Sequence, residues 1–256
     1  MKQSAPKRSW SILALLLFGS SAAGDEFGEA PDWPTSELHF VRLVYSDGGG
    51  SYGYRRGRGS FTTDYPEAEY HFHMGVSRLT RVDIGEQARM FRVTDDAIFG
   101  YPWLYAVEVG YWSLDDVEAA RLREYLLRGG FLMVDDFHGT AEWQGFIESM
   151  QLVFPDRPIV EIAESDEVLH VVYDLDQRVQ IPGIAALSRG VTYERDGYTP
   201  HWRGIYDDDG RLMVAINFNM DLGDAWEHAD NPYYPEQMTT LAYRFAVNYV
   251  VYAMTH

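Results

Sequence analysis

The chain has 256 residues, 46% of them hydrophobic and 15% aromatic, with a formal net charge of −18 and no cysteine. The apolar content supports a packed core and excludes a globally disordered chain. The acidity excludes non-specific nucleic-acid binding and docking on anionic lipid, and the absence of cysteine excludes disulfides, zinc–thiolate sites, a lipid-modified cysteine and a thiol nucleophile.

Residues 1–23 read as a secretory signal. Lys2, Lys7 and Arg8 form a basic start, Ile12 to Phe18 an apolar stretch too short to span a bilayer, and Ser21 and Ala23 flank a cleavage site after Ala23. An uncleaved anchor is the alternative. Cleavage would take the net charge from −18 to −21, because the removed segment holds three basic residues and no acid. The protein is therefore expected to be exported, periplasmic or extracellular, with no integral membrane segment in the mature chain. Residues 24–37 are polar, contain two prolines and read as a linker. Residues 38–256 suit a single α/β domain with an irregular, turn-rich insertion at about 164–210.

Leu38 to Tyr45 is the first predicted strand. The glycine-rich loop 46–60 that follows carries Arg55, Arg56 and Arg58. A helix is predicted next, capped by Asp64 with Glu67 completing a capping box, and with Tyr65, Ala68, Phe72, Val76 and Leu79 at helical spacing. Strands follow at 88–93 and 103–109. A second helix starts at Ser113 with Asp116 answering the cap, and stops at Gly129-Gly130. The apolar run Phe131 to Val134 is a strand ending in Asp135-Asp136-Phe137-His138-Gly139. Trp143, Phe146, Ile147 and Met150 mark another helix. Further strands are expected at 158–163, 169–173, 191–194 and 212–218. The last helix begins near Pro235, with a buried stripe of Met238, Leu241, Ala242, Phe245, Tyr249 and Tyr252.

Strands alternating with helices imply a mostly parallel sheet with helices on both faces and right-handed crossovers. Ligands bind such sheets at the carboxyl ends of the strands. Four loops should share that rim: 46–60, 110–113, 135–139 and 218–230.

The candidate residues gather in those loops. Asp136, His138 and Glu227 are the candidate catalytic groups, a carboxylate base being the simplest chemistry that they offer. Asp135 belongs to the same tip, and neighbouring residues leaving a strand point opposite ways, so only a bend would bring both aspartates to one pocket. The alternative is that one aspartate caps the following helix and the other is solvated. Asn219, Asp221, Asp224, Glu227 and His228 give an oxygen-rich spacing that can hold a hard divalent cation, although it is not an EF-hand loop; Asn217 completes the run. An ordered surface loop is the plain alternative. Arg55, Arg56 and Arg58 suit an anion, or else pair with nearby acids. Tyr111, Trp112 and Trp226 could stack on a sugar ring or a base, or simply pack. His71 and His73, two apart on a helix, diverge by roughly 200° and cannot chelate together. His170 reads as a satisfied, partly buried histidine. No Walker loop, GxSxG elbow or HExxH motif is present.

The segment YPWLYAVEVGYWSLDDVEAARLREYLLRGGFLMVDDFHG, the segment GRLMVAINFNMDLGDAWE and the ending AYRFAVNYVVYAMTH resemble the bacterial domain-of-unknown-function family 4159 over roughly residues 38–256. That resemblance implies kinship with class I glutamine amidotransferase-like and ThuA-like domains, hence a flavodoxin-like α/β fold, and an exported or membrane-associated setting. The amidotransferase group uses a cysteine nucleophile at the strand-to-helix elbow. Asp135 and Asp136 stand at the comparable elbow here, so no thioester can form. The leading expectation is an exported protein that binds a small polar ligand, a carbohydrate or an anionic metabolite, at the rim. The alternatives are a hydrolase using Asp136 or Glu227 as base, with or without a divalent cation, and an interaction module with an envelope protein partner.

Overall fold

The computed structural model describes Pro34, residues 36–47 and residues 59–256. The expected signal segment, most of the linker and Arg55, Arg56 and Arg58 lie outside the described residues. In chain order the elements are β1 (Val41–Val44), β2 (Ser46–Asp47), α1 (Glu67–Leu79), β3 (Arg89–Arg92), β4 (Trp103–Val107), β5 (Trp112–Ser113), α2 (Asp116–Leu127), β6 (Phe131–Asp135), α3 (Gly139–Val153), β7 (Val160–Glu161), α4 (Ile184–Ser188), β8 (His201–Tyr206), β9 (Leu212–Phe218), α5 (Leu222–Glu227) and α6 (Glu236–Thr255).

Seven strands form one sheet in the order β3-β1-β4-β6-β9-β8-β7, and β2 pairs with β5 as a small ribbon. The pairs β1–β3, β1–β4, β4–β6 and β6–β9 are parallel; β8 and β7 extend the sheet antiparallel. The alternation of side chains along each strand sorts the core into two layers. Trp103, Tyr105, Val107, Phe131 and Met133 pack with residues of α1, α5 and α6, whereas Leu104, Ala106, Leu132 and Val134 pack with residues of α2 and α3. The first layer centres on Phe40, Phe72, Trp103, Tyr105 and Trp226, whose rings meet mostly edge to face. Burying each such side chain stabilises the fold by roughly 1.5–3 kcal/mol, so no disulfide is needed to hold the domain.

Several local expectations change. The second helix is capped by Asp115, whose side chain accepts from the Val117 and Glu118 N–H groups while Glu118 answers it; Ser113 instead pairs in β5. Asp64 caps no helix: α1 begins three residues later, and Asp64 takes a left-handed φ of 66°. The segments 169–173 and 191–194 are not strands, and β8 supplies the missing one. His170 is exposed; its ring contacts the Asp174 carboxylate at 2.9 Å and the Glu164 carbonyl at 2.7 Å. Among the described residues no helix is long and apolar enough to cross a membrane.

Candidate functional site

Backbone strain gathers at the carboxyl rim of the sheet: three strained residues directly follow the parallel strands β4, β6 and β9, and two lie in loops that reach the same edge. Five non-glycine residues have positive φ: Asp64 (66°), Glu108 (55°), Asp136 (50°), Arg195 (50°) and Asn219 (63°). Aspartate and asparagine tolerate this conformation, but glutamate and arginine seldom adopt it. Strained positions of this kind persist where surrounding contacts hold them, and they gather at functional sites.

The bend at Asp136 lets the two tip aspartates serve different ends. Asp135 keeps the parity of Phe131 and Met133 and is fully buried beneath α5. Its Oδ2 accepts from the Leu222 N–H at 2.8 Å, the Gly223 N–H at 2.9 Å and the Tyr105 hydroxyl at 3.2 Å. Asp136 turns back over the rim, its own N–H donating to the Met220 carbonyl at 3.1 Å. One carboxylate oxygen from each of Asp64, Asp136 and Asp221 lies within 4.8 Å of the others. Beside this triad, Asp224, Glu227 and His228 form a second group of the same dimensions. His228 Nε2 lies 3.3 Å from Asp224 and 3.6 Å from Glu227.

Nothing cationic among the described residues forms an ion pair with Asp64 or Asp221, and Asp136 meets only His138 Nε2, at 3.1 Å. Beyond Lys7 the chain has no lysine, so arginine is the only permanent cation available. Arg42 is buried nearby and pairs with Glu69, donating also to the Phe61 and Thr63 carbonyls at 3.0 and 2.9 Å; its Nη2 is left without a hydrogen bond, and its charge pulls the Asp64 pKa downward without forming an ion pair. The triad titrates accordingly. Burial first, then the neighbouring acids, holds Asp64, Asp136 and Asp221 well above the ordinary carboxylate range; the foremost neighbour is Asp224, Glu108 and Asp136 respectively. Burial raises Asp135 to about 7 against the pull of its hydrogen bonds, and lowers His138 to about 3, which keeps that ring neutral.

A third acid group sits on the same rim. Burial and the Glu142 charge raise Glu108 to about 8. Glu142 is buried; it accepts from the Tyr111 hydroxyl at 2.6 Å and from the His138 N–H, and pairs with Arg195. Arg195 comes from the loop between α4 and β8, which is pinned to the tip. Asp196 accepts from the Thr140 N–H at 2.8 Å and its hydroxyl at 2.6 Å, and Asn219 joins the Gly139 N–H at 2.8 Å to the Thr199 carbonyl at 2.7 Å. Gly139 has a φ of 75° and presses against Asp196 where a Cβ would sit, so only glycine fits.

The structure thus brings Asp136, Asp221, Asp224, Glu227, His138 and His228 to one rim. It moves other expected residues away. Trp226 is fully buried between Phe40, Phe72 and Tyr105, and cannot stack on a ligand. Trp112 stacks on Phe146 at 5.5 Å and is buried too. Tyr111 serves Glu142. Asn219 is a buried brace rather than an open ligand, and Asn217 ties the Val134 carbonyl to the Tyr249 hydroxyl at 3.2 and 2.9 Å. Asp64, Glu108, Glu142 and Arg195 belong at the rim although their sequence contexts do not mark them. Asp64 looks like a helix cap, and the other three lie 28 residues before, 6 after and 59 after Asp136. A cleft of about 820 Å³ runs along the first half of α6, lined by residues including Asp174, Asp176, Glu236 and Arg244, and holds none of the predicted site residues.

Fold and rim together define an α/β protein with a mostly parallel sheet and a carboxylate-rich site at its carboxyl edge. Residues 39–254 match the family described as Domain of unknown function (DUF4159), and the chain belongs to that family. No curated protein matches the sequence.

Proposed function

We propose that this domain binds a divalent cation through Asp64, Asp136 and Asp221, and a polar ligand through that cation. The observation that carries the reading is the convergence of the three carboxylates within 4.8 Å without an ion-paired arginine among the described residues. Oxygen ligands of this type suit calcium, magnesium or manganese. Direct binding of an anionic metabolite to the triad is disfavoured by repulsion; a bridging cation reverses that sign. A carbohydrate would meet the same cation with its hydroxyls.

The site lies where a doubly wound sheet binds its ligands. Taken in chain order, the five parallel strands run 2-1-3-4-5, the order of flavodoxin-like folds, which supports that kinship and the amidotransferase-like relation. Without cysteine the chain has no thioester chemistry. A metal-assisted hydrolase is the second reading, and the contact between Asp136 and a neutral His138 at 3.1 Å favours it, because His138 would orient the Asp136 carboxylate, and a bound cation would supply an activated water for that carboxylate to deprotonate.

A thermal-shift titration of the protein with calcium, magnesium and manganese tests the binding reading. Stabilisation that depends on Asp136 is expected; no stabilisation by any of the three would dismiss it. Hydrolysis of ester, glycoside or phosphate model substrates by the cation-loaded protein, lost in Asp136→Asn, would select the second reading.

A further inference from the structure

The cation-binding reading leaves Asp135 without a part, although it is the most enclosed acid of the tip. Its Oδ2 is saturated by three donors, two of which are the first N–H groups of α5. Those N–H groups have no partner within a helix, so the carboxylate holds the start of α5 against the end of β6. Asp221 immediately precedes that start, with its Oδ1 accepting from the Asp224 N–H at 2.8 Å. Asp224 follows within the first turn, its Oδ2 accepting from the Ile184 N–H at 2.5 Å. The same junction is laced by the Asp136 N–H to the Met220 carbonyl at 3.1 Å and the Asn219 N–H to the Phe137 carbonyl at 3.0 Å. The rest of the packing leaves little slack: at Gly223 a Cβ would meet the Asp64 carboxylate and the Tyr105 hydroxyl.

We infer that Asp135 is a positioning residue: it clamps the start of α5 so that Asp221 and Asp224 face Asp64 and Asp136, and it does not itself contact the ligand. The inference rests on the cation-binding reading, but its physical core, the clamp, can be tested apart from it. An outer residue that orients first ligands commonly controls affinity by about 10–100-fold.

The experiment uses the intact protein and four variants: Asp135→Asn, Asp135→Ala, Asp135→Ser and Asp136→Asn. Calorimetric titration with calcium, magnesium and manganese chlorides reads affinity. Backbone amide exchange over 219–228 reads the clamp. Asp135→Asn keeps an acceptor oxygen for the two N–H groups and should bind within a few-fold of the wild type. Asp135→Ala should exchange faster across 221–227 and bind about 10–100-fold more weakly, whereas Asp136→Asn should lose binding with exchange at 221–227 unchanged. Asp135→Ser, whose hydroxyl is too short to reach α5, should follow Asp135→Ala and replaces it if the alanine variant does not fold. Loss of binding in Asp135→Asn as complete as in Asp136→Asn would make Asp135 a ligand and overturn the inference. Unchanged exchange in Asp135→Ala and Asp135→Ser would overturn it as well. If the wild type takes up none of the three cations, the cation reading falls, and the exchange arm alone decides whether the clamp exists.

Discussion

Two of the acid clusters on the rim differ most in the cation that faces them. Glu142, with Glu108 beside it, faces Arg195, a cation that the chain itself delivers from the loop between α4 and β8. Asp64, Asp136 and Asp221 face one another with no such partner among the described residues. A buried carboxylate that is paired and hydrogen-bonded is a closed structural unit, and removing its partner strands a charge. Carboxylates that are buried together and unpaired stay mostly protonated or recruit a positive charge from outside. The contrast explains why the first cluster reads as scaffold and the second as site.

The largest effect expected is on cation response. If the proposed cation binds, the wild type should gain about 2.7 kcal/mol at a hundredfold excess over Kd; Asp136→Asn should abolish that gain, whereas Glu142→Gln should keep it. Denaturation with and without cation checks this, and an equal loss in both variants would erase the distinction between the clusters.

Second comes pH. Asp135 is raised to about 7, Glu108 to about 8, and the triad is held well above its ordinary range. A carboxyl group whose folded pKa exceeds its unfolded value binds more protons in the folded state, so stability falls as pH rises between the two values. His138, lowered to about 3, acts in the opposite sense, but only below its unfolded value of about 6.5. Between pH 6.5 and 8 the carboxyl groups act in the same sense as His170, whose pKa the Glu164 carbonyl and the Asp174 carboxylate raise, and the melting temperature of cation-free protein should fall across that window. Saturating cation should flatten the slope. A melting temperature that rises over the same window would contradict the assigned burial of these acids.

Gly223→Ala comes next. Its methyl group would press on the Asp64 carboxylate and the Tyr105 hydroxyl, at a cost of about 1–3 kcal/mol from overpacking, with weaker cation binding because Asp64 is displaced. Chemical denaturation and titration on the same sample separate the two effects. The smallest change is expected from Arg195→Ala. The pair with Glu142 is only half enclosed, the arginine side chain being 45% exposed, so a loss of about 1 kcal/mol is expected rather than the larger penalty of a fully buried pair. Cation affinity should hardly move; a large drop would mean that the two clusters act as one.

Much of the architecture was legible in local pattern. Phe131 to Val134 reads as a buried strand because four apolar residues end abruptly at charges, and the stripe from Met238 to Tyr252 reads as a helix because its spacing leaves one covered face. The rim was legible for Asp136, Asp221, Asp224 and His228, which stand in two short polar segments after such strands. The misses have local causes too. Asp64 sits where a capping box would place it, yet it takes a left-handed backbone and lies beside Asp136 and Asp221. The strand HWRGIY hides behind a charge and a glycine. Trp226 lies in a polar loop by sequence, yet α5 rolls its ring into the core.

What the sequence alone determined is therefore the α/β class, the parallel sheet and the edge at which chemistry would be sought, because hydrophobic periodicity and turn residues act over a few neighbours. What only the tertiary structure decided is which acids meet. Asp64, Asp136 and Asp221 are separated by 72 and 85 residues, and their approach depends on strand order, on the bend at Asp136 and on the clamp between β6 and α5. Whether a carboxylate is scaffold or site follows from the charge across from it, and that charge is set by packing between distant segments, which local sequence pattern does not encode.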